Sequence, residues 1–256
     1  MYGRGTPPGG GIGFGPPVTP PVIKQILIAN AAVFMVQAAG LVDVSLLAAS
    51  PADFWTRFFV WQPFTYMWLH GELPHIAANL FALWMFGSQL AMAWGPQRFL
   101  RFYLTCGVGA GLLIVTYPWI PVLLGATSPA SLAIPTLGAS GAVFGVLLAY
   151  SLTWPDRTIM LIFPPVAFRA VWLIPLLFFM EIYFGPANVS HVGHLGGVLV
   201  GWLLLRASGD AGRLLSIDQI RYRIRRWRMR RRLRAVQNED WRARARDDDR
   251  PGPWLH

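Results

Sequence analysis

The chain has 256 residues, of which 54% are hydrophobic and only 13% are charged, and its mean hydropathy is +0.44. Soluble domains carry about 25% charged residues, so this composition excludes an ordinary water-soluble protein, and the single cysteine, Cys106, excludes a secreted disulfide scaffold. The apolar content also excludes wholesale disorder. Composition therefore predicts an all-α polytopic membrane protein.

The N-terminal region combines a Gly/Pro-rich segment with the first apolar run. Residues 1–21 contain seven Gly and six Pro, which disfavour helix and leave no apolar face to bury, so we expect a disordered cytoplasmic segment. The run 22–41 is apolar over about the 20 residues that a membrane crossing needs. A signal peptide is the alternative, because Lys24 precedes apolar residues, but a signal core usually has only about 7–15 residues. We therefore predict that this run is the first membrane span.

Six apolar runs in all predict a bundle of six transmembrane helices. They lie at 22–41, 74–93, 97–117, 138–154, 166–184 and 190–206. Arginines occur in the segments 94–101 and 155–169, whereas 118–137 and 185–189 carry no charge. By the positive-inside rule, this alternation places both termini of a multi-pass protein in the cytoplasm, and we expect the cytoplasmic (inner) membrane of a bacterium.

Most of the excess positive charge lies in the C-terminal tail. From Arg206 onward the sequence contains 15 Arg against 7 Asp and Glu. Apolar residues recur among these arginines with partial helical spacing, which predicts a basic helix bound to anionic lipids at the cytoplasmic surface. Charge alone would also suit nucleic acid, but no binding module accompanies the tail, so no nucleic-acid partner is expected. The chain is thus divided into a leading segment (1–21), a six-helix core (22–206) and an Arg-rich cytoplasmic tail (207–256).

Four of the five histidines fall at one membrane depth in the predicted topology. They are His70, His75, His191 and His194. Ionisable residues are costly inside a membrane and usually mark function. This cluster therefore indicates a functional site on the outer side.

A serine lies in a glycine-rich motif at the start of the fourth span. The motif is Gly138-Ala139-Ser140-Gly141. A helix N-terminus offers unpaired N–H groups and a favourable dipole for negative charge. Ser140 is therefore a candidate nucleophile.

Small residues predict that the fourth and sixth spans approach closely. Gly141 and Gly145 form one GxxxG pair, and Gly197 and Gly201 form another. His194 precedes the second pair by three and seven residues, so all three lie on one helix face. Because small residues let helix backbones approach, we expect this histidine within hydrogen-bonding reach of the serine.

His75 and Asn79 are separated by four residues on the second span and so share a helix face. An imidazole N–H and an amide NH2 are both donors, which suits them to bind a developing oxyanion. The alternative is that Asn79 only links helices by hydrogen bonding.

Together these motifs resemble the rhomboid family of intramembrane serine proteases. The resemblance rests on GxSG at 138–141, HxxxN at 75–79 and a histidine followed by GxxxG at 194–201. The segment 61–87 is also similar to the first loop and second span of that family. The resemblance covers all six predicted spans, about residues 22–206, and implies a six-transmembrane-helix rhomboid-like bundle.

The resemblance also implies roles for individual residues and a class of substrate. Ser140 is the nucleophile and His194 the general base and then acid, in a dyad without an acidic third member. His75, Asn79 and the N–H of Ser140 form the oxyanion hole, and Phe144 packs on the catalytic imidazole. Four glycines are expected to support this arrangement: Gly138, Gly141, Gly197 and Gly201. The substrates would be single-span membrane proteins cut near the outer face, with no cofactor and no metal.

Several alternatives accompany this interpretation. His191 lies one turn before His194 and could be the base, but it lacks the glycine register. Glu181 is the only acidic residue inside a predicted span, and we interpret it as an interfacial side chain rather than a catalytic one. His70 is interpreted as structural. A non-catalytic scaffold that binds transmembrane clients, a four-histidine metalloenzyme and a transporter are the rival functions, although the sequence has no HExxH motif and no evident inverted repeat.

Overall fold

Helices make up most of the structure, a computed structural model that describes residues 15–160, 166–184, 190–208 and 229. The chain divides into two compact units, Met1–Ser208 and Gly209–His256. Apart from Met229, the second unit lies outside the described residues, and so does the predicted basic helix of the tail. Most of the predicted leading segment (1–21) lies outside them as well.

The first helix, α1 (Pro21–Ala38), begins at a proline, which suits a first helical turn because its missing N–H would have no helical partner there. A connecting segment of short helices follows, and we call it loop 42–72. It contains α2 (Val44–Leu47), α3 (Pro51–Thr56), α4 (Gln62–Thr65) and a 3₁₀ turn at Tyr66–Trp68.

Two more long helical segments follow, and each also has a proline in its first turn. The first comprises α5 (Leu73–Ala82), a π-helical turn at Leu83–Gly87 and α6 (Ser88–Trp94). The second comprises α7 (Pro96–Thr116) and α8 (Trp119–Leu123). Together with α1 they give three helices, within the described residues, that are long and apolar enough to cross a membrane.

The remaining helices are shorter: α9 (Ser140–Thr153, 14 residues), α10 (Leu173–Phe184, 12 residues) and α11 (His191–Ala207, 17 residues). At 1.5 Å per residue, α9 is about 21 Å long, whereas a bilayer core is about 30 Å thick. The prediction of an all-α polytopic membrane protein is confirmed. Of its six predicted spans, three meet the length of a crossing in the described part of the chain, and the others are these shorter helices.

The predicted start of the fifth span, at residue 166, is wrong. A two-stranded antiparallel hairpin occupies this region, formed by β1 (Thr158–Met160) and β2 (Ala167–Arg169) with Ile159 opposite Phe168. The N–H of Ala170 then donates to the carbonyl of Arg157 over 2.8 Å. A 3₁₀ turn at Ala170–Trp172 follows, and α10 begins at Leu173.

The centre of the bundle is α9, which packs against both α7 and α11. It is apolar on all sides, and ten of its residues are buried. Small residues allow close approach on two sides of α9: a Cβ at Gly145 would lie 2.6 Å from Sγ of Cys106 on α7, and one at Gly201 on α11 would lie 3.2 Å from Cα of Gly145. A helix buried on every side gives the serine at its first residue a fixed position.

Candidate active site

Ser140 begins α9 after a turn that requires glycine. Gly138 has a φ of +124°, which L side chains rarely adopt, and a Cβ there would lie only 2.7 Å from Cε1 of His75. The N–H of Gly138 donates to the carbonyl of Tyr66 over 3.0 Å. The imidazole of His75 therefore packs directly on the backbone two residues before Ser140, whose side chain is half-buried.

His70 holds the same turn from loop 42–72. The N–H of Ala139 donates to Nε2 of His70 over 3.4 Å, and Gln37 bonds both the N–H and the carbonyl of His70. Burial, and then the neighbouring charge of His75, lower the pKa of His70 to about 4. The ring is therefore neutral at physiological pH, with a lone pair on Nε2 that can accept the N–H of Ala139.

His75 and Asn79 lie beside each other on α5, as their spacing predicts. Nδ2 of the buried Asn79 donates to the carbonyl of His75 over 3.0 Å, which uses one of its two amide hydrogens. The ring of His75 lies edge-on to that of His70, with centroids 5.2 Å apart, and lies within electrostatic range of His194. His75 thus lies between the turn that precedes Ser140 and the ring of His194.

Helices α9 and α11 meet through their glycines. A Cβ at Gly197 would lie 1.8 Å from the carbonyl oxygen of Gly141, and a Cβ at Gly201 would lie 3.2 Å from Cα of Gly145. One turn earlier, a Cβ at Gly141 would lie 3.3 Å from the carbonyl oxygen of Gly193. The two GxxxG pairs therefore face each other, and the residues next to this contact are Ser140 on one helix and His194 on the other.

The imidazole of His194 is stacked on Phe144, one turn after Ser140 on α9. The two ring planes are 10° apart and their centroids 4.1 Å apart, and the His194 side chain is 12% exposed. Among the described residues, Ser140 Oγ and the His194 ring form no hydrogen bond. Such bonds often tighten only when substrate is bound. The structure therefore has the two residues on neighbouring turns of contacting helices, without a hydrogen bond between them.

Glu181, on α10, contacts both histidines of α11. Nδ1 of His194 lies 2.6 Å from Oε2 of Glu181, and Nδ1 of His191 lies 2.5 Å from Oε1. The Glu181 side chain is only 7% exposed. The interpretation of Glu181 as an interfacial side chain is therefore wrong, because both oxygens are engaged inside the protein. The expected absence of an acidic partner for the histidine also does not describe this structure.

The sequence contains a signal that could have identified Glu181. It is the only acidic residue in an otherwise apolar run of twelve residues, and an intramembrane acid is by default a functional residue with a partner to be found. Nothing in helical spacing joins it to His191 and His194, because Glu181 lies on α10 and the two histidines lie on a different helix, α11. Only the packing of the two helices brings the carboxylate to the rings.

The four clustered histidines have different partners. His70 accepts a backbone N–H, His75 packs on a glycine, and His191 and His194 share one carboxylate. Within the described residues, no group of three or more His, Cys, Asp or Glu side chains is arranged to hold a metal ion.

Comparison with protein-family profiles matches residues 57–209 to the Rhomboid domain, which is more than half of the chain. The chain belongs to the rhomboid family. The resemblance predicted from the GxSG, HxxxN and HxxGxxxG motifs is thereby confirmed.

Within the aligned segments, this chain is about one third identical to individual rhomboid proteins. It is 34% identical over 151 residues to Rhomboid protein 1, mitochondrial, of Saccharomyces cerevisiae, an alignment covering 54% of this chain and 40% of that protein. It is 35% identical over 136 residues to Presenilin-associated rhomboid-like protein, mitochondrial, of mouse, covering 52% and 34%. It is 29% identical over 157 residues to Rhomboid protease GluP of Bacillus subtilis, covering 58% and 26%. The chain therefore matches less than half the length of these relatives.

The predicted location is wrong. The sequence analysis places this rhomboid in the cytoplasmic membrane of a bacterium, but matched relatives in yeast, mouse and Arabidopsis thaliana are named as mitochondrial. Loop charge reports which side of a membrane a loop faces. It carries no information about which membrane that is.

Proposed function

We propose that this rhomboid is an intramembrane serine endopeptidase that cleaves transmembrane segments with Ser140 as nucleophile and His194 as general base. The observation that carries this proposal is the stacking of His194 on Phe144, one helical turn from Ser140, across the glycine contact of α9 and α11. Acyl transfer needs a serine with an imidazole nearby that can take its proton, and the contact of α9 with α11 next to Ser140 and His194 supports that pairing.

In the proposed reaction, Ser140 Oγ attacks the scissile carbonyl carbon while Nε2 of His194 takes the hydroxyl proton. The oxygen of the tetrahedral intermediate then carries the negative charge, which the N–H of Ser140 at the start of α9, the His75 ring and the second amide hydrogen of Asn79 are suited to stabilise. His194 returns the proton to the leaving amine, which leaves an acyl-enzyme. Water, deprotonated by the same histidine, hydrolyses the ester and restores Ser140.

We propose that the substrates are membrane proteins with a single span, because Ser140 begins a helix buried among other apolar helices. A peptide bond inside a helix is sheltered by its own hydrogen bonds, so a substrate segment must unwind locally to reach the serine. We infer that cleavage takes place near the membrane face on which the four histidines lie, in a span weakened by helix-disfavouring residues.

Cleavage of a single-span reporter protein by the purified chain in detergent tests the proposal. We expect the wild type to cleave, and Ser140→Ala and His194→Ala to be at background. Ser151→Ala is the matched control: Ser151 is a buried serine on the same helix that donates to the carbonyl of Leu148, and its loss should leave cleavage unchanged.

Two outcomes would contradict the endopeptidase. Cleavage that survives Ser140→Ala would show that another group attacks the substrate. Wild-type protein that binds the reporter but never cleaves it, and binds it equally after Ser140→Ala, would instead support a rhomboid-like scaffold for transmembrane clients.

The remaining proposals concern organisation and partners. We propose the division into segment 1–21, core 22–206 and a tail, 207–256, that binds anionic lipids, and the names of the relatives favour a mitochondrial membrane. The support for the tail is its excess of arginine over acidic residues. Trypsin digestion of the full chain in vesicles tests it: anionic lipid should slow cleavage after the tail arginines relative to neutral lipid, and equal rates would contradict lipid binding.

A further inference from the structure

Glu181 is a buried carboxylate with an imidazole nitrogen at each of its oxygens. Its Oε2 lies 2.6 Å from Nδ1 of His194 and its Oε1 lies 2.5 Å from Nδ1 of His191. An ionised carboxylate can only accept hydrogen bonds. Each Nδ1 that contacts it must therefore carry the hydrogen.

This contact determines the tautomer of His194. With the hydrogen on Nδ1, the lone pair of a neutral imidazole lies on Nε2, the nitrogen at the opposite edge of the ring. That is the form in which a histidine can accept a proton from a serine. The stacking on Phe144 fixes the plane of the ring, and the carboxylate fixes its rotation within that plane.

His191 contacts the carboxylate of Glu181 and is not placed to contact the atoms that react. Its side chain is 55% exposed, whereas those of Glu181 and His194 are 7% and 12% exposed. Because His191 binds the second oxygen, the carboxylate is fixed at two points and cannot rotate away from His194. The exposed position also makes His191 a poor candidate for the base.

The charge of Glu181 matters most when His194 becomes an imidazolium. A cation is costly in a membrane-embedded site, and a carboxylate in contact with it offsets much of that cost. The other titratable groups near His194 are His75 from α5 and His191 from its own helix, and neither can carry a negative charge that would stabilise an imidazolium. Among the described residues, Glu181 is thus the one anionic group placed to stabilise the protonated ring.

We propose that Glu181 is a positioning residue that holds His194 as its Nδ1–H tautomer and stabilises its protonated form, with its own carboxylate oriented by His191. The inference rests on the proposed function, and it replaces the dyad implied by the sequence with a Ser140–His194–Glu181 triad.

Kinetics of three variants on the single-span reporter test the proposal. Replacing the triad carboxylate by an amide costs serine proteases as much as about 10⁴-fold in kcat, and for Glu181→Gln we expect a loss of about 100-fold with KM nearly unchanged. Glu181→Asp keeps the charge, so its kcat should lie between that of Glu181→Gln and that of the wild type. The matched control Asp53→Asn removes a carboxylate that pairs with Arg57 in loop 42–72, and it should retain wild-type kcat.

The pH–rate profile separates positioning from a merely structural role. With the anion removed, the acidic limb of the Glu181→Gln profile should move to lower pH, because the protonated ring has lost its counter-ion. Asp53→Asn should keep the wild-type profile. A Glu181→Gln protein with wild-type kcat and an unshifted profile would overturn the triad. The proposed endopeptidase would still be supported in that case if Ser140→Ala abolishes cleavage.

A measurement on the wild-type protein determines the tautomer of His194 without relying on the activity of any variant. In protein labelled with ¹⁵N-histidine, the His194 signals, assigned by their loss in His194→Ala, should show a protonated Nδ1 and an unprotonated Nε2 at neutral pH. A hydrogen on Nε2 instead would overturn the proposal. Absence of cleavage in the wild type would contradict the proposed function, whichever tautomer is found.

Discussion

Two regions hold the serine turn by different physical means. The pair of helices α9 and α11 makes a backbone contact lined by glycine, in which a Cβ at Gly197 would lie 1.8 Å from a carbonyl oxygen. Loop 42–72 is instead attached by side-chain hydrogen bonds to the neighbouring helices, among them those of Trp55 to the carbonyl of Val115, Tyr66 to the carbonyl of Gly107 and Trp119 to the carbonyl of Pro51.

The difference shows which region can tolerate change. A glycine contact has no room to adjust, since even one methyl group would meet backbone atoms on the opposite helix. A hydrogen-bonded loop can lose one of several bonds at modest cost, about 1 kcal/mol each. The loop also exposes several large aromatic rings, as a segment at a lipid interface would: Trp55, Phe58, Trp61 and Phe64. The helix pair therefore sets the site geometry, and the loop supports the turn before Ser140 through His70 and Tyr66.

The largest effect should follow from adding a methyl group to the helix contact. Gly197→Ala places a Cβ against the Gly141 carbonyl, and overpacking of a tight core costs about 1–3 kcal/mol, or more where backbone must move. We expect a loss of about 3 kcal/mol in the free energy of unfolding and cleavage at background, measured by thermal unfolding in detergent and by the reporter assay. Gly71→Ala is the control, because its nearest neighbour, a Leu137 methyl, would be 3.8 Å away. Equal stability of the two variants would refute the steric role of this contact.

A second effect concerns His70, where loop 42–72 meets the serine turn. Its pKa is lowered from 6.5 to about 4 by burial and by His75, so the unfolded chain binds the proton more readily than the folded one. The free energy of unfolding therefore has its full value, as far as His70 is concerned, above about pH 6.5. It decreases as the pH falls toward 4, by up to about 3 kcal/mol.

Denaturation of the wild type and of His70→Gln across this pH range measures that contribution. Gln can still accept the N–H of Ala139 but does not titrate, so the variant should lose less stability on acidification than the wild type. Identical pH dependence in the two proteins would mean that His70 is not the group responsible.

The reporter assay should also show lower cleavage in acid, because a protonated His194 cannot act as a base.

The parts of the site that follow helical spacing could be predicted from sequence. His75 and Asn79, four apart, lie on one face, and the glycine pairs of α9 and α11 do meet. For these residues a local period of 3.6 residues carries the information. The packing of Phe144 on the imidazole was implied by the resemblance to rhomboid proteases, and its position one turn after Ser140 permits it.

The parts that sequence did not reveal depend on contacts between segments with no common register. Glu181 reaches His191 and His194 only because the fold brings side chains of α10 and α11 together, and the sheet before α10 arises from the pairing of β1 with β2. The membrane was misidentified for another reason: charge patterns encode orientation, and the identity of the membrane is not a physical property of the spans.

The smallest effect should come from one hydrogen bond of loop 42–72. Nε1 of Trp61 donates to the carbonyl of Leu46 over 2.8 Å, and its side chain is 43% exposed. Trp61→Phe keeps an aromatic ring at the interface but removes the donor, so we expect a loss of no more than about 1 kcal/mol in unfolding free energy and cleavage within about twofold of the wild type. The carbonyl of Leu46 can turn to water at this exposed position, which is why the loss is small. An effect as large as that of Gly197→Ala would mean that the loop, and not the helix pair alone, determines the geometry of the site.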